Sequence, residues 1–269
     1  MRMMTMATSN FGRVCEVLTA NHKFSMEDFN IEATIPFDND PLPNESEIKI
    51  WNLSDSTLHI IKPKQVLMLN AGYRGDVGLL LHGYISNVIT RWEGVDKITT
   101  INVLDSEDLS KREVKQIAYA KGTLASAIIK QMAGFIGLPL AQFELSQDYR
   151  YQEGYTASGK VTEVISKVAQ DCKTQVFINK GKLYVRNLRR GADSVFKLNK
   201  DTGLIGSPEL FQDQGATGYN LKSQLQYRIT TASVIELSSQ AFKGKLHVRS
   251  GSHHISRTGD FTTEMEAVI

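Results

Sequence analysis

From residue 12 to residue 104 the pattern is dominated by segments in which apolar side chains recur at every second position, most clearly Phe29, Ile31, Ala33 and Ile35, with Asn30, Glu32 and Thr34 between them. A period of two places the two sets on opposite faces of an extended strand, which argues against a helix here. The same reasoning expects strands at 14–21, 47–53, 65–70, 79–92 and 97–104, with a Gly-containing hairpin turn at 93–96. Several short strands at close spacing predict a barrel or a sandwich. Pro36, Pro41, Pro43 and Pro63 are expected between strands, where a missing backbone donor leaves the ladders intact.

The period then changes. Residues 105–122 are charged and polar and lead into two helical patterns. In the first, Leu124, Ile128, Met132, Phe135 and Ile136 share a face, Thr123 is the expected N-cap, and Gly137 with Pro139 ends the helix. In the second, Ser158 precedes Val161, Val164, Ile165, Val168, Ala169 and Cys172, while Lys160, Glu163, Lys167 and Asp171 take the wet side. A hairpin of 176–179 and 182–186 closes around Lys180 and Gly181. After a Gly-rich and Gln-rich stretch at 210–221, expected to be a mobile loop, strands return at 233–238, 245–250 and 261–268, with turns at 242–244 and 256–259. No self-similarity appears at the periods of repeat proteins. The expected fold is mainly β with an α+β insert, divided at 1–104, 105–200 and 201–269.

Composition narrows the function classes. Lys and Arg number 31 against 29 Asp and Glu among 269 residues. A net charge of +2 supplies no chain-wide drive toward nucleic acid or an anionic membrane. Hydrophobic residues at 41% and charged ones at 22% match a folded globular chain of two or three units. The most apolar stretch, 124–140, is broken by Lys130, Gln131, Gly134, Gly137 and Pro139, so no membrane span is expected. Residues 1–13 lack the apolar core of a signal peptide, which makes a cytoplasm the default compartment. Two cysteines, Cys15 and Cys172, cannot build a disulfide scaffold or a thiolate cluster; both are expected reduced, with Cys172 buried on a helical stripe.

Several constellations have the residue types of a reactive site. His247, His253, His254 and Asp260 lie close in sequence, yet neighbours 253 and 254 on a strand point to opposite faces, so only His247 and His253 share parity. No carboxylate pattern stands behind them, and the reading is one packed imidazole and one solvated, not a metal site. No G-x-S-x-G elbow is present. Gly72, Gly75 and Gly78 lack the G-K-[ST] of a phosphate loop and read as a turn. Arg186, Arg189 and Arg190, near Tyr184 and Asn187, read as a solvated domain edge or a contact for an acidic partner. The pairs Glu45 with Glu47 and Glu264 with Glu266 read as solvated faces, not as a glycosidase pair. No catalytic, cofactor-binding or metal-binding residue is assigned.

Three segments together resemble the baseplate hub proteins of tailed bacteriophages, the tail-to-spike adaptors that also occur in contractile injection systems. They are IKIWNLSDST at 48–57, QVLMLNAGYRGDVGLLLHGYI at 65–85, and ASVIELSSQAFKGKLHVRSGSHHISRTGDFTTEMEAV at 232–268. The helix and hairpin SGKVTEVISKVAQDCKTQVFINKGKLYVRNL at 158–188 resembles the element found between the two barrel units of such hubs. The resemblance implies two tube-like β-barrel domains, 1–104 and 201–269, separated by the small helix and hairpin domain 105–200. It also implies a homotrimer with a pseudo-sixfold ring that joins the tail tube, or a distal tail protein, to a central spike protein, beside other baseplate proteins. DNA would only pass through the channel, whose wall should avoid a dense positive lining. The implied location is the virion tail baseplate, assembled in the host cytoplasm without stable membrane insertion, and no reaction or cofactor is implied. Trp51, Asn52, Leu53, Gly72, Tyr73, Gly83, Gly259 and Asp260 are then strand-end and turn determinants, with Asp260 bonding backbone donors in its turn. The alternatives are a distal tail or tail-tube protein in a six-chain ring, an enzyme acting on cell walls through His247, His253 and Asp260, and a peptidoglycan-binding module built on the helix and hairpin.

Overall fold

The computed structural model of the chain describes residues 11–189, 195–213 and 215–269, and the backbone at positions 3 and 4. The first portion contains β1 (Met3–Met4), β2 (Arg13–Thr19), β3 (His22–Ser25), β4 (Ile31–Phe37), β5 (Glu45–Trp51), α1 (Asp55–Ile60), β6 (Val66–Tyr73), β7 (Asp76–Glu93) and β8 (Asp96–Leu104). A middle unit follows with β9 (Glu113–Tyr119), β10 (Thr123–Leu124), α2 (Ala125–Ile136), β11 (Leu140–Phe143), β12 (Arg150–Tyr151), β13 (Tyr155–Lys160), α3 (Val161–Asp171), β14 (Gln175–Asn179) and β15 (Lys182–Arg186). The last portion holds β16 (Val195–Leu198), β17 (Leu204–Asp213), β18 (Ala216–Gln224), β19 (Val234–Ser238), β20 (Lys243–Ser256) and β21 (Phe261–Val268). The protein is mainly β with a small helical insert.

One 14-stranded sheet runs through both end portions, and its long antiparallel path is β17-β18-β21-β20-β4-β5-β8-β7. From the N-terminal half of β7 the sheet continues through β6 and β2 to β3; from the N-terminal half of β20 it continues through β19 and β16 to β1. Each long strand changes neighbours at a bulge, between Ile85 and Asn87 in β7 and between Val248 and Ser250 in β20. A bulge bends the strand, so each portion folds back over its own apolar face.

The two portions share one topology. β4 to β8 pair in the order 4-5-8-7-6, and β17 to β21 pair in the order 17-18-21-20-19. The registers match as well. Tyr84 lies opposite Leu104, and Leu104 opposite Glu45; correspondingly His247 lies opposite Val268, and Val268 opposite Gly218. A five-strand unit therefore occurs twice in tandem, with the middle unit between the copies.

Three large cores follow from this arrangement, beside a small cluster of Phe177, Leu188 and Ala232. Residues between Cys15 and Val103 fill the first, joined by Leu225, Ile255 and Phe261 from the far end of the chain. The second lies inside the middle unit, from Leu109 to Val185, where α2 and α3 pack their apolar faces together. The third gathers Phe196, Ile235, Leu246 and Met265 with Phe37 from β4. Because β20 and β21 serve the first and third cores, the two five-strand units share a wall.

Several sequence expectations are corrected here. The described residues of 210–221 are not a mobile loop but belong to the β17–β18 hairpin, whose first strand is exposed on both faces and so shows no alternation. The strand expected at 245–250 continues unbroken to Ser256. Strand β9 runs through the polar stretch 105–122 and pairs with β13, where the helix lead-in at Ser158 was expected. Thr123 is not the cap of α2; its hydroxyl donates to Ala120 O at 2.7 Å, and the first helical N–H groups are met from outside by Tyr149 O and Asp148 Oδ1. Gly137 does end α2, left-handed at φ 73°, with its N–H on Ala133 O.

Candidate functional site

The outward face of β4, β5 and β8 carries the polar half of the period-two pattern. Glu32 and Thr34, Glu47 and Lys49, and Thr100 and Asn102 line two adjoining hollows of about 290 and 460 Å³. A third hollow, of about 840 Å³, continues the face across β17, β18, β20 and β21. The sheet is thus concave along its whole eight-strand path. Contacts between side chains knit the hollows together: Ser252 Oγ lies 2.8 Å from His254 Nε2, which faces Glu264 at 3.7 Å, and Lys222 reaches Glu264 at 2.9 Å and Asp260 at 3.3 Å.

This face is acidic although the chain is not. Among the described residues its hollows are lined by eight carboxylate side chains and three Lys or Arg side chains, Lys49, Arg91 and Lys222. A concave wall with surplus negative charge repels a polyanion moving along it.

Both ends of the path are open. Beyond its bulge β7 pairs only with β8, and β17 pairs only with β18, so each presents one unpaired row of N–H and C=O groups among the described residues. Exposed apolar side chains stand on these edges, with Trp92 69% and Leu210 60% exposed. Open edges of this kind are protected in monomeric proteins and used in assemblies.

No protein-family profile matches the sequence, and no curated protein is similar to it. Solved structures are. A tail protein from Neisseria meningitidis MC58 superposes with a TM-score of 0.68 over 96% of this chain and 97% of that one, at 7% identity. The 43 kDa tail protein of prophage MuSo2 from Shewanella oneidensis gives 0.65 with the same coverage and identity. The chain has the fold of phage tail proteins. The same fold extends to the E. coli c3393 protein, a type VI secretion component reported as similar to the T4 tail proteins gp27 and gp5, at 0.61, 10% identity and coverage of 89% and 73%.

Within this tail-protein fold the histidines are not assembled. His247 and His253 share sequence parity, but the bulge in β20 shifts the inward set from Leu246 and Val248 to His253 and Ile255, so the two rings end on different faces. His253 is fully packed, its Nδ1 2.9 Å from Thr263 Oγ1 and its ring beside Phe37; burial pushes its pKa down to about 3. Asp260 is exposed in the β20–β21 turn and pairs with Lys222, and among the described residues it bonds no backbone donor and no histidine. Among the described residues no three His, Cys, Asp or Glu side chains group to hold a metal ion. Arg186 is buried and donates to Gln142 Oε1 at 2.7 Å, so it forms no solvated edge; Arg190 lies outside the described residues.

The turn residues sit at strand ends. Trp51 ends β5, and Asn52 follows at φ 57°, its amide bridging Asp96 Oδ1 and Lys97 N, both at 2.9 Å. Leu53 is in the first core. Gly72 and Gly83 lie so close to the neighbouring strand that a Cβ would fall 2.1 Å from Asp76 O and Leu104 O, respectively. Tyr73 stacks edge-on against Phe261 at 5.3 Å, and Gly259 O accepts from Arg13 at 2.7 Å, which ties β2 to the β20–β21 turn. The signal that sequence reasoning missed is the convergence of polar strand faces, which needs the strand order.

Proposed function

We propose that the protein is a structural component of a phage-type tail, a baseplate hub in which three chains form a pseudo-sixfold ring around a channel. The observation that carries this reading is the five-strand unit present twice in each chain, so that three chains supply six similar units. Such a ring matches a sixfold tube on one side to a threefold spike on the other. The acidic concave face becomes the channel wall, along which DNA slides without adhering. Tail tube or distal tail protein, spike and other baseplate proteins are the partners, and the virion tail is the location. A six-chain ring built from single units fits less well, because this chain already holds two.

The reading gives the chain no reaction to catalyse. A neutral His253 sealed in the core and an exposed Asp260 paired to Lys222 support this. Native mass spectrometry and electron-microscopy class averages test the ring: three chains around one hole are expected, and a stable dimer refutes it. Turbidity of purified cell walls, with His253→Ala as control, tests for lytic activity.

A further inference from the structure

We propose that copies of the chain join edge to edge, the open edge of β7 beyond its bulge pairing antiparallel with β17 of the next copy in the register the two units already use inside one chain. The inference rests on the ring reading and supplies its interface. Within one chain the outer half of β20 pairs with β4, which is a junction between the second unit and the first. The counterpart of β20 is β7, and the counterpart of β4 is β17. Repeating the internal junction between molecules therefore brings β7 against β17, the two edges left without a partner.

The register can be read across. His254 pairs with Thr262, which pairs with Gln224, just as Arg91 pairs with Ile98, which pairs with Trp51; His254 and Arg91 are equivalent. Thr34 pairs with Glu47 and Glu209 with Asn220, and Glu47 and Asn220 hold the same place opposite Asn102 and Glu266; Thr34 and Glu209 are equivalent. Because His254 lies opposite Thr34 inside the chain, Arg91 lies opposite Glu209 across the interface. By the same step Ile89, equivalent to Ser252, meets Phe211, equivalent to Pro36.

The chemistry of the paired positions agrees with the geometry. Arg91 and Glu209 have opposite charge, line the concave face, and have no ion pair or hydrogen bond among the described residues. Ile89 and Phe211 place apolar surface beside them. Opposite-charge and apolar cross-strand pairs both stabilise an antiparallel ladder. The interface is heterologous, so it generates a ring when the rotation closes.

Oxidation of an Arg91→Cys, Glu209→Cys double variant tests the pairing, since directly opposite Cβ atoms lie within disulfide reach. The native Cys15 and Cys172 are buried and do not compete. Covalent dimers and trimers are expected for the double variant, and none for either single variant. In the reduced state Arg91→Glu should weaken trimerisation at least tenfold, Glu209→Arg likewise, and the exchanged pair should restore it to within threefold, with melting of each monomer unchanged. A trimer that neither cross-links nor responds to charge reversal overturns the edge pairing and leaves the ring standing. A chain that is monomeric throughout and never cross-links overturns both.

Discussion

Asp105 ends the first five-strand unit, where the chain leaves for the middle unit, and its carboxyl is almost dry. It is 7% exposed; Oδ1 accepts from Asn44 N at 3.0 Å, and the Asp105 N–H donates to Asn44 O at 3.0 Å. Burial pushes its pKa from 3.8 up to about 7, helped by the nearby Asp38 and opposed by the hydrogen bonds from Asn44. A carboxyl whose pKa is higher folded than unfolded holds its proton more tightly in the native state. Its contribution is complete below pH 4 and is lost as pH rises through 7. About three pH units at 1.36 kcal/mol each put the loss near 4 kcal/mol by pH 8. Asp105→Asn keeps the acceptor and removes the charge, so the variant should exceed the parent by up to about 4 kcal/mol at pH 8 and by about 1.6 kcal/mol at pH 5, the two converging only below pH 4. Two other titratable groups share the small hollow beside Asp105. His253 stays neutral across this window, and Lys180, lowered by burial to about 8, gains stability only as pH rises beyond that value. Guanidinium unfolding at pH 5, 6, 7 and 8 reads the difference. A parent with flat stability over this range, or a variant weaker than the parent at pH 8, refutes the reasoning.

Three further outcomes follow from the packing. Gly83→Ala should cost about 3 kcal/mol in chemical unfolding, because its Cβ falls 2.1 Å from Leu104 O and two paired strands must separate. A native-state thiol assay at pH 8 should find Cys15 unreactive, since burial pushes its pKa up to about 12, and both cysteines should react after unfolding. Asp76→Asn should cost about 2 kcal/mol by removing a charge-assisted pair with Arg228, whose Nη1 donates to Oδ2 at 2.8 Å, and by weakening the bond from Tyr227 OH. The Arg228 hydrogen bond holds the Asp76 pKa below 3.8, so this contribution is present above pH 4 and fades as pH falls through the lowered value, which unfolding curves at pH 3 and 7 will show.

The fold was legible wherever one strand face is buried and the other wet. β4 alternates buried and open side chains along its whole length, and its period was visible. β9 buries only Val114 fully, and β17 buries nothing fully, so neither carries a pattern; backbone pairing alone makes them strands. β3 was hidden behind Ala20 and Asn21, whose φ angles of 51° and 62° reverse the chain in two residues that carry no glycine. Parity misled at His247 and His253 because a one-residue bulge exchanges the faces of everything beyond it. The repeat escaped notice for a different reason. Thr99 and Thr263 occupy the same place and are equally buried, but Ile101 and Val103 correspond to Met265 and Ala267. Topology and burial are kept while volumes change, which leaves no sequence period to find. The candidate site was legible only in pieces: Glu47, Glu264 and Glu266 read as wet faces, and nothing in the chain order brings those faces together.

The placement of the middle unit adds an argument for the face. Among the described residues between 105 and 200, none lines any of its three hollows. Instead the tip of the β14–β15 hairpin docks behind the sheet. Lys180, left-handed at φ 49°, donates from Nζ to Leu79 O at 2.7 Å, and Ile178 N donates to Asp40 O at 3.3 Å. These two bonds, one from the hairpin's side chain and one from its backbone, tie the tip of the hairpin to β7 and to the loop after β4. An insertion between two copies of a repeat could have fallen across the concave side. Here it is held to the convex side by the hydrogen bonds of Lys180 and Ile178, and the acidic wall stays clear of its described residues from one open edge to the other.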